Sequence, residues 1–193
     1  MLDFLNTLDT NLFLYLNGLH HKSLDDLMLA VSYNKVLMSL VLVAVLSLAL
    51  FDLKKRAFTI IILSFVAFGL SDSISTRVFK DNFERLRPCH NLNLKDKVYL
   101  AGQNCGGGKY GFVSSHASNS FAIAFFYWLF LFKRRKVLSF FLFYAGLVSY
   151  SRIYLARHYP GDIIFGALLG VMISYTLYAL YKRFISTRLN TSL

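Results

Sequence analysis

Residues 57–78 read AFTIIILSFVAFGLSDSISTRV, and this stretch decides the fold. For most of its length it offers no polar face to water, so it predicts a helix whose solvent is lipid. At ~1.5 Å per residue, roughly 22 residues span about 33 Å, close to the ~30 Å thickness of a bilayer's hydrocarbon. Working outward, Val36–Phe51 precedes it, and His116–Phe132, Val137–Ala156 and Ile163–Tyr181 follow, each apolar enough to cross in turn. The run from Val36 is short, and residues 27–33 are expected to lengthen it. Composition agrees: 56% of residues are hydrophobic and 16% charged, against ~25% charged in soluble domains. The expectation is an all-α integral membrane bundle, one domain over residues 1–193, with five transmembrane helices. A sixth span within residues 11–34 stays open.

The N-terminus reads differently. Leu2, Leu5, Leu8, Leu12, Tyr15, Leu16 and Leu19 recur at helical spacing, with Asp3, Asn6, Thr7 and Thr10 opposite. That pattern predicts a helix lying in the membrane interface, ended by Asn17-Gly18. Ser23, with Asp26 three residues on, predicts the start of another helix.

A net charge of +11 raises the question of nucleic acid. The basic residues instead sit in short clusters between apolar runs, so nucleic acid is not expected as a partner. Lys54-Lys55-Arg56, Lys133 to Lys136, and Lys182, Arg183 and Arg188 all fall on one side of the predicted topology. The positive-inside rule places that side in the cytoplasm and the 79–115 loop outside. The two cysteines, Cys89 and Cys105, both lie in that loop. An exported loop meets an oxidising compartment, so a disulfide is expected, two free thiols being the alternative.

The chemistry is carried by three clusters in chain order. Lys80 is followed after six residues by Arg87-Pro88. Val113-Ser114-Ser115-His116 comes next, and then Ser151-Arg152, with His158 five residues beyond and Asp162 three beyond that. Two histidines, a carboxylate and three cations suffice to break a phosphate ester without a metal. Cations neutralise phosphoryl oxygens, one imidazole attacks phosphorus, and the other protonates the leaving oxygen. The topology brings all three clusters to the outer membrane surface. Ser114 or Ser115 is a natural helix N-cap there, and Pro160 suits a first helical turn. Asp162, one turn after His158, can hold that imidazole. No cluster of Asp, Glu, His or Cys has convincing metal-ligand spacing, so neither metal nor cofactor is expected.

These clusters resemble the three-part signature of the type 2 phosphatidic acid phosphatase superfamily, K-x6-RP, PSGH and SR-x5-H-x3-D. The first and third parts match at every defined position. The second departs twice, with Val113 in place of proline and Ser115 in place of glycine. The resemblance implies that His158 is the nucleophile, that Asp162 orients it, and that His116 serves as acid and then base. It implies phosphate binding by Lys80, Arg87, Ser114, Ser115 and Arg152. The implied substrate is a lipid phosphate or diphosphate on the outer leaflet of the cell (inner) membrane, with the site facing the periplasm or exterior. Among the bacterial branches, undecaprenyl diphosphate phosphatases fit first, because the outer loop is strongly basic and no extra domain is visible for a sugar headgroup. Lipid A phosphatases, phosphatidylglycerophosphate phosphatases and lipid phosphotransferases are the alternatives. A non-enzymatic anion transporter would explain the cations but not the paired histidines. Oligomeric state is not legible.

Other residues have plainer readings. A cation at a membrane surface is usually a snorkelling anchor, the reading given to Arg85 and Arg157. His20, His21 and His90 match no motif. The glycines after Cys105 read as turn formers, because no phosphate-loop lysine follows. Gly166 and Gly170 predict close helix packing. Asp72, inside a span, is costly there, and two readings stay open: on one helical stripe with Thr76 and Lys80, spaced by four, it supports Lys80 while pairing with Arg77 or a cation across the bundle, or it is a structural hydrogen-bond acceptor.

Overall fold

The structure, a computed structural model, describes residues 2–186; Arg188 and the side chain of Leu2 lie outside the described residues. Among those described, the chain is helical with no strand. Two N-terminal helices, α1 (Leu2–Gly18) and α2 (Lys22–Tyr33), precede α3 (Lys35–Leu53) and α4 (Ala57–Ser73). Helix α4 continues as a π-helical stretch, Ile74–Lys80, into the short α5 (Asp81–Phe83). After the 84–114 loop come α6 (Ser115–Phe130), α7 (Arg135–Tyr154) and α8 (Pro160–Leu180).

Three helical stretches are long and apolar enough to cross a membrane: Lys35–Phe83, Phe132–Tyr154 and Pro160–Phe184. The first has 49 residues, which would run about 74 Å if straight. It does not run straight. Lys54, at φ 48°, breaks the helix after α3, and α4 folds back to pack against it. Helix α6 sits at the centre, against α4, α7 and α8. The core there is made by Val45, Ile60, Ala67, Phe126, Tyr127, Leu138, Phe141 and Ile173. Phe58, Phe65, Phe140, Phe143 and Met172 point outward and remain exposed, as expected where lipid is the solvent. The bundle closes tightly at one seam. A Cβ on Gly170 would stand 2.2 Å from the Ser118 carbonyl oxygen, and one on Gly166 would stand 2.7 Å from that of Ser114. Only glycine lets α8 approach α6 so closely.

The N-terminal region corrects the sequence reading in two places. Residues 27–33 do not extend α3. Asn34 leaves helical geometry at ψ 102°, and its side chain accepts from the amides of Val36 and Leu37, so α2 is a separate helix. Helix α2 is capped by His21, whose ring accepts from the Ser23 amide, and not by Ser23. Helix α1 is amphipathic, but its polar side carries specific contacts. Leu5, Leu8, Leu12 and Tyr15 are exposed, while Phe13 and Asn17 are buried. Asn17 donates to the carbonyls of Tyr99, Ile153 and Tyr154 and accepts from the Tyr99 amide. The helix is stitched to protein along one side and leaves an apolar stripe free on the other, which suits a helix lying on lipid.

These two helices and the 84–114 loop form a cap at the end of the bundle where α7 passes into α8. Its small cores join Phe13, Leu94, Ile153 and Tyr159, and Met28, Ala101, Tyr154 and Leu155. Cys89 and Cys105 are bonded to each other within it, Cα to Cα 5.6 Å. At the opposite end, Arg134 forms a forked ion pair with Asp52, 2.9 and 3.2 Å, tying the α6–α7 turn to the end of α3.

Candidate active site

All three motif clusters meet where the cap joins the bundle. Two of them are tied by backbone: the Ser114 amide donates to the Asp162 carbonyl at 3.0 Å. Ser114 caps α6, its hydroxyl accepting from the Ala117 amide, so the first amides of that helix face the site as anion donors. Ser115 is within the helix and is not among the residues with positive φ. The missing glycine therefore imposes no strain. The substitution instead adds a hydroxyl that accepts from Lys80 Nζ at 2.7 Å and from Ser75 at 2.8 Å.

That arrangement depends on the wide turn ending α4. In an α-helix Thr76 would share a face with Lys80, as the sequence predicts. In the π-helical stretch Ile74–Lys80, residues five apart come together, and it is Ser75 that joins Lys80 at Ser115. Thr76 bonds the Asp72 carbonyl instead. Of the two readings of Asp72, the contacts favour the structural acceptor. Its carboxylate takes the side-chain amide of Asn119 at 2.9 Å, and among the described residues no ion pair links it to Arg77.

The cations converge from three directions. Arg87 is buried, its Nε donating to the Tyr110 carbonyl at 3.1 Å. Burial, and then the neighbouring Arg152 and Arg157 guanidiniums, push its pKa down. Such a cluster is relieved by an anion. Arg152, 3% exposed, donates to the Ser32 hydroxyl and lies 5.0 Å from the centre of the Tyr33 ring. Helix α2 therefore fixes a cation that the sequence places on α7. Arg157 is no bystander either. It donates to the carbonyls of Gly106 and Asn104 and so holds the glycine-rich turn beside the disulfide. Among the described residues, the grouping with metal-ligand atom types is Cys89, His90 and Cys105. Both sulfurs there are spent in the disulfide, whereas metal ligation calls for thiolate.

The other half is built on Asp162, which is fully buried. One carboxylate oxygen accepts from the Tyr159 amide at 3.0 Å and lies 3.5 Å from His158 Nδ1. The other takes Arg85 at 2.8 Å. Burial pushes the His158 pKa down to about 4, with Asp162 pulling the other way. The imidazole is therefore neutral near pH 7, the form that can attack. Reading Arg85 as a snorkelling anchor was wrong. Besides Asp162 it pairs with Asp9 of α1 at 2.7 Å, donates to Asn6 and stacks 4.0 Å from the centre of the Tyr159 ring. Burial opposes its charge, but Asp162 and Asp9 hold its pKa above the usual arginine value. Asp9 also accepts from the Gly161 amide at 2.7 Å, and a Cβ at 161 would meet it at 2.8 Å. Asp9 was missed by the sequence reading. Its one available signal was an acid on an otherwise uncharged stretch of α1.

The geometry gathers three cations (Lys80, Arg87, Arg152) near the α6 N-terminus and a buried neutral imidazole beside a carboxylate. His116, in the first turn of α6, faces an adjoining cavity. This is an arrangement for moving a phosphoryl group at the end of membrane-spanning helices.

Comparison with known proteins agrees. Residues 57–186 match the family model described as PAP2 superfamily. The chain is 34% identical over 172 residues to the lipid A 4'-phosphatase of Bacteroides thetaiotaomicron, covering 88% of this chain and 75% of that protein. It is 32% identical over 185 residues to the protein of the same name from Porphyromonas gingivalis, covering 93% and 75%. Its fold is similar to the PAP2-type phosphatidylglycerolphosphate phosphatase of Bacillus subtilis, TM-score 0.67 at 18% identity, covering 93% of this chain and 87% of the other. It is similar also to LpxE of Aquifex aeolicus, TM-score 0.64 at 24% identity, covering 89% and 95%. The chain belongs to the PAP2 superfamily and is an integral membrane lipid phosphatase.

Proposed function

We propose that this phosphatase removes a phosphate from a lipid A-type phosphorylated glycolipid through a phosphohistidine on His158. The observation that carries the proposal is the pairing of a buried His158–Asp162 couple with three cations at the outer ends of the helices, in a chain most of whose length matches lipid A 4'-phosphatases. This reverses the order expected from sequence, which put undecaprenyl diphosphate first. That order rested on the basic outer loop and on the lack of a domain for a sugar headgroup. Helices α1 and α2 and the 84–114 loop, which look in sequence like an interfacial segment and a connection, in fact build a cap beside the site.

In the proposed reaction, Lys80, Arg87, Arg152, the Ser114 hydroxyl and the Ser115 amide take the phosphoryl oxygens. The free Nε2 of His158 attacks phosphorus, and the P–O bond to the lipid breaks with its electron pair leaving on oxygen. His116 gives that oxygen a proton. It then takes one from water, whose oxygen attacks phosphorus, and the N–P bond breaks to restore neutral His158. Asp162 holds the imidazole throughout. The chain crosses the bilayer five times, α3, α4, α6, α7 and α8 each passing once, with α1 lying on its surface. The basic ends of α3, α6 and α8 lie in the cytoplasm and the site at the opposite face of the cell membrane.

The test is phosphate release by the purified protein in mixed micelles containing EDTA. The substrates compared are lipid A, undecaprenyl diphosphate and phosphatidylglycerophosphate, with no added alcohol. The expected result is kcat/KM for lipid A at least about tenfold above either rival. A tenfold advantage for undecaprenyl diphosphate would restore the earlier choice. Loss of all activity in EDTA, restored by magnesium, would overturn the mechanism.

A further inference from the structure

A cavity of about 470 Å³ opens beside the site and runs down between α3, α4, α6 and α7, with Ser115 and His116 at its upper end. Most of its wall is hydrocarbon, including Leu42, Val45, Phe68 and Phe141. Three of its polar lining residues do not fit a plain hydrocarbon slot. Asn119 and Asp72 sit side by side on its wall, and Tyr144 lies lower on α7. The Asn119 amide nitrogen donates to Asp72. Because a carboxylate only accepts, this contact fixes the orientation of the amide. Among the described residues, the buried Asn119 carbonyl oxygen has no partner, and neither has the buried Tyr144 hydroxyl. A buried acceptor left unpaired in apolar surroundings costs about 1–3 kcal/mol, so a ligand that supplies a donor is favoured there. Asn119 follows His116 by three residues on α6, about 4.5 Å down the helix. The missing donor therefore belongs to a group a few bonds away from the phosphate being removed.

Building on the proposed glycolipid phosphatase reading, we infer that this cavity holds one acyl chain of the substrate and selects a chain that carries a hydroxyl near its carbonyl. The hydroxyl donates to the Asn119 carbonyl oxygen, Asp72 holds Asn119 in the accepting orientation, and the Tyr144 hydroxyl offers a second polar contact deeper in the cavity. A plain chain fills the same space but leaves Asn119 unpaired.

The experiment uses two synthetic phosphoglycolipids with the same sugar, phosphate and chain length. One carries a 3-hydroxytetradecanoyl chain on the position next to the phosphate and the other a tetradecanoyl chain. The full-length protein is assayed for kcat/KM on both in the same micelles. The hydroxylated substrate is expected to be better by roughly tenfold or more. Asn119→Leu brings the ratio to about one, and Tyr144→Phe, which keeps the ring and removes only the orphan oxygen, lowers it. The ratio is internal to each variant, so partial loss of folded protein does not move it. A wild-type ratio near one, or a preference indifferent to both variants, overturns the inference. Failure to release phosphate from either lipid counts instead against the glycolipid reading.

Discussion

Asp162 and Asp72 are both carboxylates set among apolar helices, and their surroundings differ in kind. Asp162 is fully buried and bound by Arg85 and the Tyr159 amide, with His158 Nδ1 3.5 Å away. Asp72 is partly exposed to a cavity and, among the described residues, has one side-chain donor, Asn119. A carboxylate with a donor on each oxygen cannot readily reorient, so it suits the task of fixing an imidazole. A carboxylate held by one amide fixes only that amide and leaves room beside it. In the proposed reading, the first region serves the phosphate and the second what is attached to the phosphate.

The sharpest way to break this contrast is to neutralise each carboxylate without changing its shape. Asp162→Asn removes the charge that balances Arg85 and the acceptor opposite His158, and kcat should fall by about 10²–10⁴. Asp72→Asn should cost no more than about tenfold on a plain-chain substrate. Steady-state kinetics on the two variants, with circular dichroism to check the fold, decides. Equal losses would mean that the two carboxylates share one role.

A smaller effect is expected from Asp9, which reaches Asp162 only through Arg85 and Gly161. Asp9→Asn should lower kcat by roughly tenfold with KM little changed, because the damage is to positioning and not to binding. Asp9→Glu should restore part of it. A rise in KM with unchanged kcat would mean that α1 serves membrane attachment alone.

The smallest effect on turnover is expected from the disulfide. Replacing Cys89 and Cys105 by serine should leave kcat within severalfold. Opening a 16-residue separation should lower the protein's stability by about 3 kcal/mol in the entropic account. Thermal unfolding in detergent measures the second quantity. An unchanged midpoint would show that the cap is held by Asn17, Arg157 and its small cores without the bond.

Why some of this was legible in sequence follows from distance along the chain. The motif residues announce themselves because each cluster is short and helix ends bring them together. Five helices followed from runs of apolar residues, and the close seam from Gly166 and Gly170. The contacts that sequence missed join distant segments. Asp9 meets Gly161 across 152 positions and Ser32 meets Arg152 across 120, and no periodicity reports such pairings. Ser75 was passed over because the prediction assumed 3.6 residues per turn where the chain makes a π-helical turn. Arg85 and Arg157 were misjudged because an isolated arginine near a membrane is ordinarily an anchor, and their partners come from α1 and the glycine turn.

The central claim is that His158 carries the phosphoryl group. It is tested most directly by reacting the His116→Ala variant with a ³²P-labelled phosphate ester whose leaving group needs no proton, and quenching in alkali. The account predicts an acid-labile, alkali-stable label on the peptide containing His158, absent from His158→Ala. Label elsewhere in the chain, or turnover by His158→Ala above a few per cent of wild type, would contradict it.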